Sequence, residues 1–163
     1  YKEYVSLVSQ DSHIFTESLE FNITMGKGRD FTSFWQRMLE FLPYLSKWQV
    51  GPETLIDPRE ISMGQKQLIS ALRSCYLRKS IVLFDEISSG MDSDLESALR
   101  HMMLYIQKQS LTIIVAHRVE TILNADKIIV LDQGRKVSEG RHKELLKSSS
   151  IYAEFISKLK SLT

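Results

Sequence analysis

Residues 81–84 (IVLF), followed directly by Asp85 and Glu86, constrain the fold more than any other feature of this 163-residue chain. Four consecutive apolar residues are too few for a helix, and they are typical of a strand buried on both faces of a parallel sheet. Ligands bind beyond the carboxyl ends of such strands. An acidic pair there can hold a metal ion and activate water, although it can also be an exposed pair of no function.

The helices are predicted from apolar residues at helical spacing. Apolar side chains recur at Phe31, Phe34, Trp35, Met38, Leu39 and Leu42, at Leu68, Ile69, Leu72 and Tyr76, at Leu95, Leu99, Met102 and Ile106, and at Ile151, Phe155 and Leu159. Pro43 ends the first of these helices, and Ser62 with Gln65 fits a capping box at the start of the second. Ser93 and Glu96 can cap the third.

Strands alternate with these helices. Further short apolar runs predict strands at residues 4–8, 112–116 and 128–131, and a Gln133-Gly134 turn leads to a short strand near Val137. We expect the strands at 112–116 and 128–131 to be buried. The alternation predicts an α/β fold with a largely parallel sheet flanked by helices. The segment at about 22–60 interrupts this alternation of strands and helices and is predicted to be a mainly helical insertion.

Composition excludes several classes of protein. The 21 basic and 20 acidic residues nearly balance, which gives no argument for a nucleic-acid partner. Cys75 is the single cysteine, so no internal disulfide can form. No stretch approaches the ~18 apolar residues of a membrane span. The spacing of His13, His101 and His142 does not suggest a metal site, and we expect structural or exposed positions for them.

Four further segments stand in a fixed order around the acidic pair. Gln10 follows the first strand, ISMGQ at residues 61–65 opens a helix, Asp92 ends SSGMD at residues 88–92, and His117 follows the strand at 112–116. Each has an ordinary alternative explanation: an unremarkable glutamine, a well-capped helix, a helix cap and a structural histidine. Their order along the chain is more specific than any one of them.

This order resembles that of the ATP-binding cassette (ABC) ATPases, in which a Q-loop, a signature motif, a Walker B strand, a D-loop and a switch histidine follow one another. Residues 117–146 resemble the exporter branch of that family. The resemblance implies that residues 1–163 are the C-terminal part of one ABC ATPase domain. Residues of about 22–76 would form a helical subdomain with the signature, and residues 1–21 and 77–163 an α/β core.

The resemblance also implies roles for individual residues, with ATP and Mg²⁺ as ligands. Asp85 would hold the metal, Glu86 would activate the attacking water, and His117 would contact the γ-phosphate. Gln10 would reach both the metal and the water. The remaining predicted contacts are with the nucleotide or second subunit across the dimer, made by Ser62, Gly64, Gln65 and Asp92.

The implied partners are a second ABC ATPase domain, identical or different, packed head to tail, and the transmembrane domain of an exporter. No nucleic-acid partner is implied. The implied location is the cytoplasmic face of a membrane, with a parent protein bound to that membrane. Cargo choice belongs to the transmembrane part of such exporters and is not encoded in these residues.

The chain departs from the family pattern in three places. It has no phosphate-binding Walker A loop of the form G-x-x-x-x-G-K-[ST]: at its only Gly-Lys pair, Gly26-Lys27, Phe21 stands in place of the first glycine. Met63 replaces the middle glycine of the signature, and Leu68 stands where arginine is common. We therefore expect these 163 residues alone to bind ATP weakly and to hydrolyse it negligibly.

Three hypotheses follow. The first hypothesis is that the chain is part of an active exporter ATPase. The second is a non-catalytic ABC-like interaction module that offers only its signature face to a complete partner; Met63 and the absent Walker A loop favour it, whereas the Asp85-Glu86 pair and His117 argue against it. The third is an ABC ATPase of chromosome maintenance or DNA repair, which is disfavoured because Gln10 stays with the signature and the net charge is near zero.

Overall fold

The computed structural model describes residues 3–9, 11–28, 30–85, 91–116 and 119–161. They form two compact units, one ending at Val115 and the other starting at Ala116. The first unit contains β1 (Val5–Val8), α1 (Leu19–Thr24), α2 (Phe31–Phe41), α3 (Pro43–Trp48), α4 (Met63–Tyr76), β2 (Ile81–Asp85), α5 (Ser93–Gln107) and β3 (Leu111–Val115). The second contains α6 (Val119–Leu123), β4 (Ile128–Asp132), β5 (Arg135–Gly140), α7 (His142–Ser148) and α8 (Ser150–Ser161).

A three-stranded parallel sheet in the order β1-β2-β3 organises the first unit. Val8 lies beside Phe84, and Asp85 lies beside Val115, so the three strands end at one edge. This arrangement confirms the predicted α/β class and the parallel pairing. In the second unit β4 and β5 form an antiparallel pair, joined at the predicted turn, where Gln133 and Gly134 both have positive φ.

The core of the first unit lies between one face of this sheet and the helices. Val8, Val82 and Phe84 point to that face and are buried. The predicted apolar residues of α4 and α5 are all buried, as are Phe31, Phe34, Trp35, Met38 and Leu42 of the first predicted helix, whereas Leu39 is only partly buried. The hydrophobic periodicity of these three helices therefore predicted their inner faces.

The opposite face of the sheet is apolar and exposed, and we call it the open face. Its residues alternate with the buried ones along each strand: Leu7, Leu83, Leu111, Ile113 and Val115. All but the half-buried Leu83 are more than 50% exposed: Leu7 52%, Leu111 63%, Ile113 51% and Val115 52%. The prediction of a buried strand at 112–116 is therefore wrong, because the described helices of this unit cover only one face.

Two short helices of the first unit, α1 and α3, were not predicted, and neither were α6 and α7 of the second unit. Ser18 caps α1 by accepting a hydrogen bond from the Phe21 amide, but six residues are too few to show a periodicity. Pro43 does end α2, as predicted, and it also becomes the first residue of α3. Its fixed φ and missing N–H suit that first helical position.

The second unit has a small core of its own, formed by Ile122, Leu145, Tyr152 and Ile156. The face predicted for the last helix is wrong at two of its three residues. Ile151 and Phe155 are exposed and Tyr152 and Ile156 take their place, whereas Leu159 is partly buried against this core. The strand at 128–131 is also more exposed than expected, since Ile129 and Leu131 face solvent. His142 is structural, as expected: its Nδ1 lies 2.7 Å from the Tyr152 hydroxyl. None of the helices described above combines the length and the apolar character that crossing a bilayer requires.

Candidate functional site

Asp85 is the last residue of β2, at the edge where all three parallel strands end. Its side chain is exposed. No cluster of three or more metal-ligating side chains occurs among the described residues. A single accessible carboxylate still fits Mg²⁺, because this ion commonly takes one or two protein carboxylates and completes its shell with water and phosphate oxygens.

The predicted residues Gln10, Glu86 and His117 lie outside the described residues, as do 88–90 of the D-loop segment. Their roles therefore stay predictions. The strands that precede them are β1, β2 and β3, which end together at the edge that carries Asp85. The geometry of the described strands thus agrees with a single site built at that edge.

The N-terminus of α4 is the second part of the candidate site. The predicted capping box is confirmed: the Gln65 amide donates to Ser62 Oγ (3.2 Å), and the Ser62 amide donates to Gln65 Oε1 (2.8 Å). The first backbone bond of the helix runs from the Lys66 amide to the Ser62 carbonyl. The Met63 and Gly64 amides have no acceptor within the described ranges and point out of the first turn.

These free amides can receive an anion, because they lie at the positive end of the helix dipole. The hydroxyl of Ser62 can contribute as well. Its oxygen already accepts from the Gln65 amide, and a hydroxyl oxygen that accepts one hydrogen bond still carries a proton to donate. Capping the helix and binding a phosphate are therefore compatible roles for Ser62.

Gln65 is engaged on both ends of its side-chain amide. Its Oε1 accepts from the Ser62 amide, and its Nε2 donates to the Tyr44 hydroxyl over 3.1 Å. Burial, together with the negative charge of Asp92, raises the pKa of Tyr44 above its ordinary value although the Gln65 bond opposes the shift. Contact between Gln65 and a nucleotide would use its second Nε2 proton. Sequence reasoning missed Tyr44, since it lies in the unpredicted α3.

Gly64 is buried against the first turn of α5. A Cβ added to it would lie 2.7 Å from Leu95 Cδ2 and closer still to Met91 Sδ. The close approach of α4 and α5 therefore already requires glycine at this position. The nucleotide contact that the family resemblance implies for Gly64 is an additional role that stays a prediction.

Replacing Gly64 by alanine is expected to lower the free energy of unfolding by about 1–3 kcal/mol, the usual effect of overpacking. Met91 and Leu95 would both have to shift to admit the methyl group. Urea denaturation of the Gly64→Ala variant measures the change. Gly28→Ala is the matched control, because a Cβ at Gly28 meets no atom within 4 Å. Equal midpoints for the two variants would contradict the packing explanation.

The two departures from the signature pattern have different environments. Met63 is 53% exposed and lines a groove of about 400 Å³ together with residues 11–14, Pro58 and Lys66. Leu68 is completely buried in the core of the first unit. An arginine at that position would place its stem in the core, so leucine at 68 matches the packing of this chain.

Asp92 is the N-cap of α5, because its Oδ1 accepts from the amides of Asp94 (3.1 Å) and Leu95 (3.0 Å). The prediction that Ser93 caps this helix is therefore wrong by one position: Ser93 is the first helical residue. The cap explains Asp92 without a second subunit. Its predicted contact across a dimer is compatible with the cap and stays a prediction.

Comparison with known proteins places this geometry in a family. No protein-family model matches the chain. It is 31% identical over 159 residues to ATP-dependent lipid A-core flippases of Francisella tularensis and Yersinia pestis, which covers 93% and 94% of the chain but 26% and 27% of those proteins. A solved bacterial Atm1-family ABC exporter with ATP bound has a TM-score of 0.78 and 29% identity, over 96% of this chain and 28% of the exporter.

The chain belongs to the ABC exporter family. It spans about a quarter of the length of the curated relatives it matches. The α/β fold with its parallel sheet is accordingly part of an ABC ATPase fold. The named relatives are an ABC exporter and ATP-dependent flippases, so the comparisons favour the exporter hypothesis over the interaction module and the DNA-repair ATPase.

Proposed function

We propose that this chain is part of the ATP-binding and ATP-hydrolysing domain of an ABC exporter, and that its hydrolysis of ATP powers export. The observation that carries the proposal is the presence of two phosphate-directed features in one unit. One is the shared carboxyl edge of β1, β2 and β3, which ends in Asp85. The other is the N-terminus of α4, with its free amides and the Ser62 hydroxyl.

Each feature would serve a different nucleotide. Asp85 would hold Mg²⁺, which supplies positive charge against the phosphate oxygens when bound. Glu86 would orient and deprotonate the attacking water, Gln10 would contact the same water, and His117 would donate a hydrogen bond to the γ-phosphate. The amides and hydroxyl at the start of α4 would bind the phosphate of a nucleotide held mainly by a second ABC ATPase domain.

The open face supports the proposal that further polypeptide completes this site. Parallel sheets normally carry helices on both faces, because their strands are apolar on both sides. Here Leu7, Ile113 and Val115 remain exposed, and the 163 residues contain no Walker A pattern. We infer that the polypeptide that covers the open face also contains the phosphate-binding loop, whether it belongs to the same protein or to another.

The remaining parts of the proposal concern assembly. Two ABC ATPase domains would pack head to tail, so that the α4 N-terminus of one faces the sheet edge of the other. A transmembrane domain would convert their closing and opening into transport, and the chain would then lie at the cytoplasmic face of a membrane. Residues of about 22–76 would form the helical subdomain, and residues 1–21 and 77–163 would form the α/β core.

The test is steady-state MgATP hydrolysis by the intact protein that contains these residues and by residues 1–163 alone. We expect hydrolysis by the intact protein and none above background by residues 1–163, since the amides of a phosphate-binding loop provide most of the phosphate contacts. An intact protein that hydrolyses no ATP would overturn the proposal. Hydrolysis by residues 1–163 alone would show that they capture the phosphates without a Walker A loop.

A further inference from the structure

Arg73, in the last turn of α4, bonds two distant carbonyl groups. Its Nε donates to the Asn22 carbonyl over 2.7 Å, and its Nη2 donates to the His13 carbonyl over 3.0 Å. Burial lowers the pKa of the guanidinium from its ordinary value. Within the described part of the chain no carboxylate pairs with Arg73, and the groups there that balance its charge are these carbonyl dipoles. Loss of the bonds to the Asn22 and His13 carbonyls would leave the partly buried guanidinium without these partners.

Asn22 shapes the polypeptide that Arg73 holds. Its side chain is completely buried. Its Oδ1 accepts from the Phe15 amide (2.8 Å), and its Nδ2 donates to the carbonyls of Phe15 (3.0 Å), Glu17 (3.3 Å) and Ser18 (3.1 Å). We call residues 13–22 the clamped segment. The side-chain amide of Asn22 thus holds the backbone of this segment at Phe15, Glu17 and Ser18. A segment with so many internal bonds can be displaced as a unit.

The clamped segment lies between two parts of the candidate site in the chain of contacts that runs through Arg73. In sequence it begins three residues after Gln10, the predicted metal and water contact. Arg73 lies on the same helix as Ser62, about 16 Å away along the axis at 1.5 Å per residue. A helix of this length is stiff, and a displacement at its C-terminal turn reaches its N-terminus. The clamped segment and the anion-binding end of α4 are therefore mechanically connected through Arg73.

We propose that Arg73 is a positioning residue that fixes the clamped segment to α4, so that the chain leaving Gln10 and the signature end of the helix move as one body. The effect of this connection on ATP turnover rests on the proposed function. The connection itself does not, because it consists of hydrogen bonds within residues 13–73. Arginine suits the task because its planar fork bonds two acceptors at once, whereas lysine presents a single point charge.

The first measurement is amide hydrogen exchange in the intact protein. In Arg73→Lys we expect the amides of Phe15 and Glu17, which bond to Asn22 Oδ1 and to the Phe15 carbonyl, to exchange at least about tenfold faster, the effect of losing one charged hydrogen bond. Amides of α5 should exchange as in the wild type. Arg100→Lys is the matched control, since Arg100 bonds Glu96 on the same helix, at the partly exposed surface of α5.

The second measurement separates positioning from stability. In the intact protein, Arg73→Lys should lower kcat for ATP by about tenfold, because small misplacements of reacting groups slow catalysis steeply, while KM for ATP stays unchanged. Arg100→Lys should change neither. If Arg73→Lys does not fold, Arg73→Gln is compared in the same way, since its neutral amide leaves no cation to bury.

The outcomes are distinct. Unchanged exchange in the clamped segment overturns the proposal. Faster exchange with a wild-type kcat also overturns it, since Arg73 would then only stabilise the segment. Faster exchange with a reduced kcat and unchanged KM supports it. If the wild type hydrolyses no ATP, the proposed function fails, and the exchange data alone decide whether Arg73 fixes the segment.

Discussion

Replacing Glu86 by glutamine in the intact protein is expected to reduce kcat for ATP hydrolysis by about 10²–10⁴-fold, the range that general bases contribute. The side chain keeps its size, but an amide cannot take a proton from water. ATP binding should persist, because the metal ligand proposed for Asp85 and the free amides of α4 are untouched. The expected result is a protein that binds nucleotide and does not turn it over.

Steady-state kinetics give the loss of turnover, and equilibrium binding of a fluorescent ATP analogue gives the affinity. Glu96→Gln is the control, since Glu96 lies in the first turn of α5 and pairs there with Arg100. That variant should retain nearly full activity. Turnover that survives in Glu86→Gln would mean that another group activates the water, and the role assigned to Glu86 would be withdrawn.

The second large effect is expected at Asn22. In Asn22→Leu the side chain keeps a similar volume but loses four hydrogen bonds. The Phe15 amide loses its acceptor, whereas the carbonyls of Phe15, Glu17 and Ser18 each keep one backbone donor. The unsatisfied Phe15 amide costs about 1–3 kcal/mol and each of the other lost hydrogen bonds about 0.5–1.5 kcal/mol, although the loop can relax toward water. We expect the free energy of unfolding to fall by about 2–5 kcal/mol.

Chemical denaturation followed by circular dichroism measures this loss as a lower midpoint at constant slope. Gln36→Leu serves as the control, because Gln36 is exposed and surface substitutions usually change stability by less than about 0.5 kcal/mol. A midpoint for Asn22→Leu that equals that of the control would show that the clamped segment does not depend on its central amide.

Much of the first unit could be predicted because its signals are local. The apolar faces of α4 and α5 follow from helical spacing, and the Ser62–Gln65 capping box follows from two residues three apart. The position of Asp85 at the carboxyl edge of the sheet could be predicted, because short buried apolar runs are typical of parallel strands. These predictions needed no knowledge of which distant residues meet.

The failures concern contacts between distant residues or exposure that leaves no pattern. Tyr44 meets Gln65, and Arg73 meets His13, across long stretches of chain that have no periodic signal. In β3 every residue of LTIIV except Thr112 is apolar, so the sequence cannot distinguish a strand covered on both faces from one with an exposed side. In α8 two adjacent helical faces carry apolar residues. The buried one contains Tyr152, which bonds His142, and sequence reasoning did not consider that face.

The open face has a consequence for handling and for synthesis in the cell. β3 is an edge strand of its sheet and combines unpaired backbone groups with exposed Leu111, Ile113 and Val115, a combination that favours pairing with other copies. Residues 1–163 produced without the polypeptide that we propose covers the open face should therefore precipitate at high concentration. Covering of this surface then competes with irreversible self-association. Producing residues 1–163 together with the proposed covering polypeptide should therefore raise the soluble yield.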